Sequence, residues 1–499
     1  MQLSICAIAT VILVFPIVIT YQWIRRKLQY WERRQVAAES LPEIYKFRGR
    51  QHVAYAIQRI YQKSKSENRS YAAAYQLISP ALIISDLDLI KQVLITDFES
   101  FPDRGMYSNY KQDPLSRNLV RLQGGMWRKV RAKLTPTFTS GKIKQMFGTI
   151  IDIGQRFIDV MQQNALEHNH LVEIKDLCAR FTTDVIGSVA FGLDCNSLQQ
   201  PDTEFRRKGD KAFHTIHPLG ELLASRYRKF FNALGYRVFT KDLIEFYSRI
   251  VRQTVEYRER HNVKRNDFLD LLIELKNSPA EEGEFSLSME DVIAQAFVFF
   301  IGGFETSSST MTFTLFEMAH NPVVQEKARQ DVRTTLEKHN GKFTYESLNE
   351  MQYIRQVVQE TLRKYPVAPT GRRICRRSCT LPGPQPLTID PGVYVIIPVY
   401  AIHHDPAIYP QPEVYRPERF SAEEKNERHP MAYQPFGAGP RSCIAERFGM
   451  LQSMMGVALL LHNFRFSKCA QTPERLEFDP FNIRVLNSIE GIHLKVEKM

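Results

Sequence analysis

The sequence is poor in cysteine, and the few cysteines that it has are widely spaced. Only seven of the 499 residues are cysteine, and no two of them form a C-x-x-C pair. Disulfide scaffolds and structural zinc sites depend on dense or closely paired cysteines, so the spacing argues against both. Most of these cysteines are therefore expected to be buried apolar residues in a protein of a reducing compartment.

Signatures of several other functional classes are also missing. The chain has no arginine-rich tail, no zinc-finger spacing, no internal repeat, no low-complexity tract and no flavin or nicotinamide motif. The 66 basic and 54 acidic residues give a net charge of +12, which suits anionic lipid or an acidic protein partner. Because the chain has neither an arginine-rich tail nor zinc-finger spacing, nucleic acid is not an expected partner. The hydrophobic fraction of 43% is ample for a large core.

The one long apolar run stands at the N-terminus. Residues 3–24 carry no charge and would form about 33 Å of helix, which is enough to cross a bilayer. Basic residues follow at once, whereas a secretory signal peptide usually has a basic start and a shorter apolar run. We therefore predict an uncleaved membrane anchor over residues 1–24. The positive flank predicts residues 25–49 as a linker and residues 50–499 as a body on the cytosolic side.

Helical patterns dominate the chain to about residue 365, and short β-type runs such as VYVIIPVY (393–400) follow from about residue 378. The longest helical pattern begins after Ser288, which can form a capping box with Asp291. It ends at His320, before Asn321-Pro322. At roughly 45 Å, this helix would cross the whole core. The sequence predicts a single, mostly α body with a smaller β part.

The middle of this long helix reads FFIGGFETSSST. Gly302 and Gly303 each cost about 1 kcal/mol relative to alanine, and the Thr306 hydroxyl can reach the Gly302 carbonyl. Two interpretations remain open. The glycines could allow close packing of a neighbouring helix, or they could widen a groove in which Thr306 and Glu305 stand beside a reaction centre.

Three further motifs carry polar residues that gain meaning together. Trp127 and Arg131 share a helical face, and an indole N–H beside a guanidinium suits a carboxylate. Glu360 and Arg363 lie on adjacent turns among apolar neighbours, which indicates a buried ion pair. Arg419 stands in a proline-rich RPERF loop. Each motif alone is equally typical of a solvated helix or loop.

The last candidate is Cys443, in a glycine-rich turn that reads PFGAGPRSCIAERFG from Pro435 to Gly449. Taken in this order, the motifs resemble the cytochrome P450 superfamily over nearly the whole chain. The matching signatures are F-x-x-G-x-R-x-C at Phe436, Gly439, Arg441 and Cys443, E-x-x-R at Glu360 and Arg363, the oxygen-activation motif GGFET, W-x-x-x-R at Trp127 and Arg131, and PERF.

Two longer stretches, DRGMYSNYKQDPLS and FTTDVIGSVAFGL, resemble the insect microsomal branch of that superfamily, which is associated with detoxification. The chain departs from the usual signature at Ala445, where the family has glycine. Alanine still permits close packing of the helix against a haem.

The resemblance implies a haem b cofactor with Cys443 as the axial thiolate, which pushes electron density onto the iron. Glycine in the loop allows backbone N–H groups to approach the sulfur and moderate its charge. The resemblance also implies that Phe436 binds the haem and that its propionates are bound by Trp127, Arg131, Arg373 and Arg441. It implies a buried structural network of Glu360, Arg363 and Arg419. It further implies a proton relay through Thr306 and Glu305.

The resemblance also implies a substrate pocket with an apolar lining, which suits lipophilic molecules. The implied lining residues are Val298, Ile301 and Gly302 on the long helix, and Val367 and Ala368 in the segment VAPT.

The function expected from the resemblance is an NADPH-fuelled monooxygenase on the endoplasmic reticulum membrane. Its electrons would come from a separate NADPH–cytochrome P450 reductase, with cytochrome b5 as a further possible donor, because the chain itself has no flavin domain. Two alternatives are a haem-thiolate isomerase or dehydratase that needs no reductase, and a non-enzymatic haem protein that binds ligands.

Overall fold

The computed structural model describes residues 14–15, 18–39, 51–279, 285–383, 386–482 and 484–499, with only the backbone of residue 214. Most of the predicted anchor and part of the predicted linker therefore lie outside the described residues. Residues 18–28 form a helix. Within the described ranges, we find no helix with both the length and the apolar character needed to span a membrane.

Helices make up most of the body. The first part of the chain forms α1 (Val53–Ser66), α2 (Leu87–Lys91), α3 (Gly124–Leu134), α4 (Ser140–Glu167), α5 (Ile174–Phe191), α6 (Glu204–His214), α7 (Pro218–Arg226), α8 (Arg228–Ala233), α9 (Lys241–His261) and α10 (Phe268–Asn277). The second part forms α11 (Met289–His320), α12 (Pro322–Lys338), α13 (Tyr345–Glu350), α14 (Gln352–Lys364), α15 (Val399–His403), α16 (Ala422–Glu427) and α17 (Glu446–Asn463).

The strands form three small sheets. They are β1 (Ala38–Glu39), β2 (Tyr71–Gln76), β3 (Ser79–Ile84), β4 (Leu171–Glu173), β5 (Gly371–Ile374), β6 (Cys379–Leu381), β7 (Leu387–Ile389), β8 (Tyr394–Ile397), β9 (Phe464–Ser467) and β10 (His493–Lys498). The largest sheet has the order β1-β2-β3-β8-β5, with β3 parallel to β8 and β5 antiparallel to it. The other two sheets are β4-β10-β9 and β6-β7. The predicted class, mostly α with a smaller β part, is confirmed.

The central helix α11 begins and ends where the sequence predicts. Ser288 and Asp291 form the capping box, and the helix runs from Met289 to His320 without a break at the glycines. Nearly all of its residues are buried, because α5, α9, α10, α14 and α17 pack around it. A helix that is apolar on all sides is stable only in such an interior position.

The β-type run at residues 393–400 is only half strand. Strand β8 ends at Ile397, Pro398 follows, and α15 begins at Val399. Proline has no backbone N–H to extend the ladder, so the chain leaves the sheet there.

Helix α17 brings the cysteine loop to the middle of α11. The rings of Phe299 in α11 and Phe448 in the first turn of α17 lie 5.3 Å apart. Cys443 lies three residues before Glu446, where α17 begins, so this contact brings the cysteine loop toward α11.

Candidate active site

The cysteine loop is a tight turn that requires glycine. Gly437 and Gly439 have φ values of +73° and +71°, in the region that only glycine enters freely. A Cβ at Gly439 would lie 2.0 Å from the carbonyl oxygen of Leu94. The turn closes when the Cys443 N–H donates to the Phe436 carbonyl at 2.8 Å. The glycines of this motif are therefore needed for close backbone approach.

The Cys443 thiol is exposed, although the residue lies in the interior beside α11. Burial raises the pKa of the thiol, while a hydrogen bond from the backbone N–H of Ala445 and the charges of Arg104 and Arg131 lower it. The sulfur is thus accessible although protein surrounds it, so it faces an enclosed space. The backbone donor and the two guanidinium groups are what a thiolate needs for stabilisation.

One face of α11 is not fully covered by the surrounding helices. Val298, Gly302 and Thr306 follow one another at four-residue intervals, and each is at least partly exposed inside an otherwise buried helix. Ile301 beside them is also only partly buried. The open stripe therefore coincides with the predicted oxygen-activation segment.

The two glycines of α11 have different roles, so each of the two interpretations holds for one of them. A Cβ at Gly303 would meet Ile186 Cδ1 at 2.5 Å, so this glycine allows close packing against α5. A Cβ at Gly302 would meet no atom of the described chain within 4 Å, so this glycine faces open space. Gly302 is the one that widens the groove.

The Thr306 hydroxyl donates to the Gly302 carbonyl at 2.5 Å, as the four-residue spacing predicts. Its oxygen still has lone pairs that can accept a hydrogen bond from a donor in the open space. Glu305 is buried and lies about 100° away around the helix from Thr306. The two side chains therefore belong to different faces of α11.

Arginines from distant parts of the chain surround the cysteine loop. Arg131 Nη1 donates to the Ser442 carbonyl at 2.9 Å, and Arg441 Cζ lies 4.0 Å from the centroid of the Trp127 ring. Arg441 Nη2 also donates to Asp103 Oδ1 at 3.0 Å. The structure thus brings the W-x-x-x-R motif and the arginine of the cysteine signature together, whereas their predicted role at the propionates stays a prediction.

Sequence reasoning missed Arg104 as a member of this group. Its Nη2 donates to the Arg441 carbonyl at 2.8 Å, and its charge acts on Cys443. The residue belongs to the DRG stretch, which served only as a marker of the branch. The sequence offers only an arginine before a glycine as a signal, and the φ of +70° at Gly105 is visible only in the structure.

The arginines carry more positive charge than the described residues neutralise. Burial first, and then repulsion from Arg104, lowers the pKa of Arg441 to about 8, although Asp103 acts in the opposite direction. Burial and Arg104 likewise lower the pKa of Arg373 to about 9. Arg441 Nη1 and Arg373 Nε are buried without a hydrogen-bond partner in the described chain. These groups fit a guest with two carboxylates, such as the propionates of a haem.

The predicted structural network forms as a buried cluster. Arg363 donates to both oxygens of Glu360, at 2.8 and 2.9 Å, and Arg419 Nε lies 3.3 Å from Glu360 Oε1. Arg363 Nη1 also donates to the His403 carbonyl at 2.9 Å, and the backbone N–H of Gln434 donates to His403 Nε2 at 3.0 Å. Gln434 directly precedes the cysteine loop, so the cluster anchors that loop to α14.

The predicted pocket residues lie on two segments. Val367 is buried, whereas Ala368 is exposed although it lies between buried neighbours. The backbone N–H of Leu486 donates to the Val367 carbonyl at 2.9 Å, which joins the C-terminal turn to this segment. Phe436 is partly buried, and its ring lies near Gly449 in the first turn of α17.

A thiol beside an open helix face, with an excess of arginine around it, fits a haem whose iron takes a thiolate ligand. This defines the class as a haem-thiolate protein of mostly α fold. The family model described as "Cytochrome P450" matches residues 50–496. Similar curated proteins include "Probable cytochrome P450 6a18" and "Cytochrome P450 6a8" of Drosophila melanogaster. Each is 44% identical over 96% of both chains.

The chain belongs to the cytochrome P450 family and resembles its insect microsomal branch. Family membership makes it a P450 monooxygenase, with a haem iron held by a cysteine thiolate.

Proposed function

We propose that this P450 inserts one oxygen atom from O2 into lipophilic small molecules, with electrons from NADPH delivered by a separate reductase. The observation that carries the proposal is the open stripe of α11 beside Cys443, formed by Val298, Ile301, Gly302 and Thr306. An apolar groove next to a thiolate suits apolar substrates held close to the reaction centre. The substrates include xenobiotics or endogenous lipids and hormones.

Cys443 is the proposed iron ligand. A bound haem supplies the oxygen activation, which the electron-donating thiolate promotes. The Ala445 N–H and the nearby charges of Arg104 and Arg131 favour the anionic sulfur, whereas burial and the charge of Glu446 raise the pKa of the thiol. The hydrogen bond from the Cys443 N–H to the Phe436 carbonyl, at 2.8 Å, fixes the backbone from which the sulfur projects.

The propionates are the proposed partners of the arginine cluster. Arg104, Arg131, Arg373 and Arg441 would hold them with charge-assisted hydrogen bonds, and Trp127 keeps Arg441 in place by stacking. Glu360, Arg363 and Arg419 take no part in chemistry in this proposal. They hold the segment before the cysteine loop in place through His403, which contacts both Arg363 and Gln434.

Thr306 is the proposed proton donor at the reaction centre. Its hydroxyl hydrogen lies on the Gly302 carbonyl, and a rotation about the Cα–Cβ bond would aim it into the groove. An apolar groove excludes bulk water, so proton delivery needs such a positioned group. Glu305, on another face, is proposed to supply protons to Thr306 rather than to the substrate.

The proposed electron partners dock on the outer face of α3. Trp127 and Val130 point inward, whereas Arg128 and Lys129 are exposed. A basic surface beside the cluster that holds the haem suits an acidic reductase, and cytochrome b5 could use the same face. The enzyme is proposed to work at the endoplasmic reticulum membrane, with its body in the cytosol.

Reconstitution with purified reductase tests the function against its two alternatives. The proposal predicts that NADPH and O2 are consumed when a lipophilic substrate is added, and that an oxygenated product forms. Product formation without reductase and NADPH would favour an isomerase or dehydratase. Spectral binding of ligands without any product would favour a non-enzymatic haem protein.

Deletion of residues 1–24 tests the membrane proposal. We expect much of the protein to leave the membrane fraction while haem binding persists, with some peripheral attachment through apolar surface. A deletion variant that sediments with membranes as completely as the parent would contradict an anchor in this segment.

A further inference from the structure

A second group of arginines surrounds a single buried carboxylate outside the haem site. Arg121 Nη1 lies 2.5 Å from Glu221 Oε1, and both side chains are buried. Arg484, which is partly exposed, pairs with the other oxygen, Glu221 Oε2. Arg372 acts electrostatically on both Glu221 and Arg484. Four segments that are far apart in the sequence therefore meet at Glu221.

The group carries an excess of positive charge. Glu221 is the only carboxylate paired with Arg121 or Arg484 in the part of the chain that the structure describes. Burial alone would raise the pKa of Glu221, yet Arg121 and Arg484 lower it to about 2. Burial lowers the pKa of Arg484. Repulsion from Arg121 and Arg372 lowers it further, whereas attraction to Glu221 raises it. Three guanidinium groups thus share one negative charge.

The location of the group links it to the proposed substrate pocket. Leu119, two residues before Arg121, donates its N–H to the Gln295 side chain at 2.9 Å, one turn before Val298 in α11. Leu486, two residues after Arg484, donates its N–H to the Val367 carbonyl at 2.9 Å. The loops that carry the arginines therefore lead directly into the residues that line the pocket.

The exposure of the arginines shows which of them can reach a ligand. Arg121 is held by Glu221 and by the Tyr107 carbonyl at 2.9 Å. Arg484 and Arg372 are both partly exposed, and Arg372 Nε donates to the Arg104 carbonyl at 3.1 Å. Arg121 and Glu221 form the buried part of the group. The guanidinium groups of Arg372 and Arg484 are the ones that a ligand from outside can reach.

We propose that Arg372 and Arg484, supported by Arg121, bind the carboxylate of an amphipathic acid whose apolar chain extends toward the open stripe of α11. The inference rests on the proposed function and names one substrate class for that pocket. Arginine suits this task because its planar fork binds a carboxylate through two hydrogen bonds. A lipophilic molecule with an acidic end is thereby favoured over its neutral analogue.

A purely mechanical role is the competing explanation. In it, the Glu221 pairs only fasten α7 to the loop of Arg121 and to the C-terminal turn. Fastening both segments needs Glu221, Arg121 and Arg484, and it gives no reason for the third cation, Arg372. It also predicts that loss of Glu221 weakens the binding of acidic and neutral ligands together.

Spectral titration of the ferric holoenzyme with decanoate and with 1-decanol tests the proposal. We expect decanoate to bind about tenfold more tightly or better, since hydrogen bonds to charged groups are worth at least one tenfold step. Arg484→Gln and, separately, Arg372→Gln should each reduce this preference for the acid at least several-fold. Arg237→Gln, a change at an exposed arginine that pairs with Gln112, should leave the ratio as in the parent.

Glu221→Gln distinguishes the two explanations, because the fastening role predicts an unchanged preference for the acid and the proposal predicts a changed one. Under the proposal it removes the carboxylate that competes for the arginines, so the preference for decanoate rises. Equal affinities of the parent for decanoate and decanol, or an equal loss of both in the variant, would overturn the anionic subsite. Turnover of a neutral lipophile with reductase is measured in parallel, so failure of this inference is distinguished from failure of the monooxygenase proposal.

Discussion

The guanidinium group of Arg441 lies over the Trp127 ring, with Cζ 4.0 Å from the ring centroid, and its Nη2 donates to Asp103 Oδ1 at 3.0 Å. Asp103 also accepts a hydrogen bond from the Gly124 N–H at 2.9 Å, at the start of α3. One carboxylate therefore sets the orientation of Arg441 and the position of the helix that carries Trp127. The arginine is held on two sides, and its Nη1 remains for a guest.

Asp103→Asn should accelerate haem loss. The change removes the carboxylate that pairs with Arg441, and breaking a buried ion pair is strongly destabilising, by about 3–5 kcal/mol. We expect transfer of haem to apomyoglobin to become at least tenfold faster. Arg376→Gln breaks only the more exposed contact of Asp103 and should have a small effect. Equal haem retention in Asp103→Asn and the parent would show that Asp103 does not position Arg441.

Thr306→Ala should uncouple NADPH consumption from product formation. The hydroxyl is the proposed proton donor in the groove, so its loss should leave haem binding largely intact but release hydrogen peroxide. The yield of product per NADPH is the quantity to measure.

Thr306→Ser separates proton donation from shaping of the helix only in part, because serine can serve both roles. A methoxythreonine at this position can fill the site but cannot donate a proton. If the alanine variant couples as well as the parent, Thr306 has a structural role through its bond to Gly302.

Lys129→Glu should slow reduction by the reductase. Lys129 is exposed on the outer face of α3, whereas the neighbouring Arg128 is already paired with Glu99 at 2.6 Å. The first-electron rate, measured by stopped flow at low salt, should fall several-fold and the difference should shrink at high salt. Lys65→Glu, on α1, is the matched change at an exposed lysine elsewhere. Identical effects of the two variants would remove α3 from the docking surface.

His403 should make the protein acid-sensitive. Burial first, and then the charge of Arg363, lowers the pKa of His403 to about 3. Its Nδ1 lies 3.2 Å from the Arg363 carbonyl, and its Nε2 accepts from the Gln434 N–H, so the neutral ring is the form that the site binds. Below about pH 6.5 the imidazole binds a proton in the unfolded chain but not in the folded protein. The free energy of unfolding therefore falls as the pH is lowered.

The uptake of this one proton lowers the free energy of unfolding by about 1.4 kcal/mol per pH unit, between pH 6.5 and the pKa of His403 in the folded protein. His403→Gln cannot titrate, so its denaturation midpoint should depend less steeply on pH than that of the parent, whatever its stability at neutral pH. Parallel profiles for the two proteins would show that His403 is not the group responsible.

The sequence predicted those parts of the site that local patterns encode. The capping box at Ser288 and the stop at Asn321-Pro322 set the bounds of α11 by local chemistry. The i,i+3 spacing of Glu360 and Arg363 was enough to predict their pair, since one helical turn brings them together.

What the sequence could not predict depends on distant contacts. Arg121 and Glu221 are 100 residues apart, and Arg484 is 263 residues beyond Glu221, so no periodicity connects them. Gly302 and Gly303 are adjacent residues of the same type, and only the packing of Ile186 against Gly303 distinguishes their roles.

The central claim is that Cys443 supplies the thiolate of the haem iron, and the reduced carbon monoxide complex tests it most directly. The parent and a Cys469→Ser control should both show the red-shifted Soret band that a thiolate ligand produces. Cys443→Ser should lose that band, because a serine oxygen cannot replace the sulfur as an electron donor. If the thiolate band persists in Cys443→Ser, another cysteine is the ligand and the account of this site is wrong.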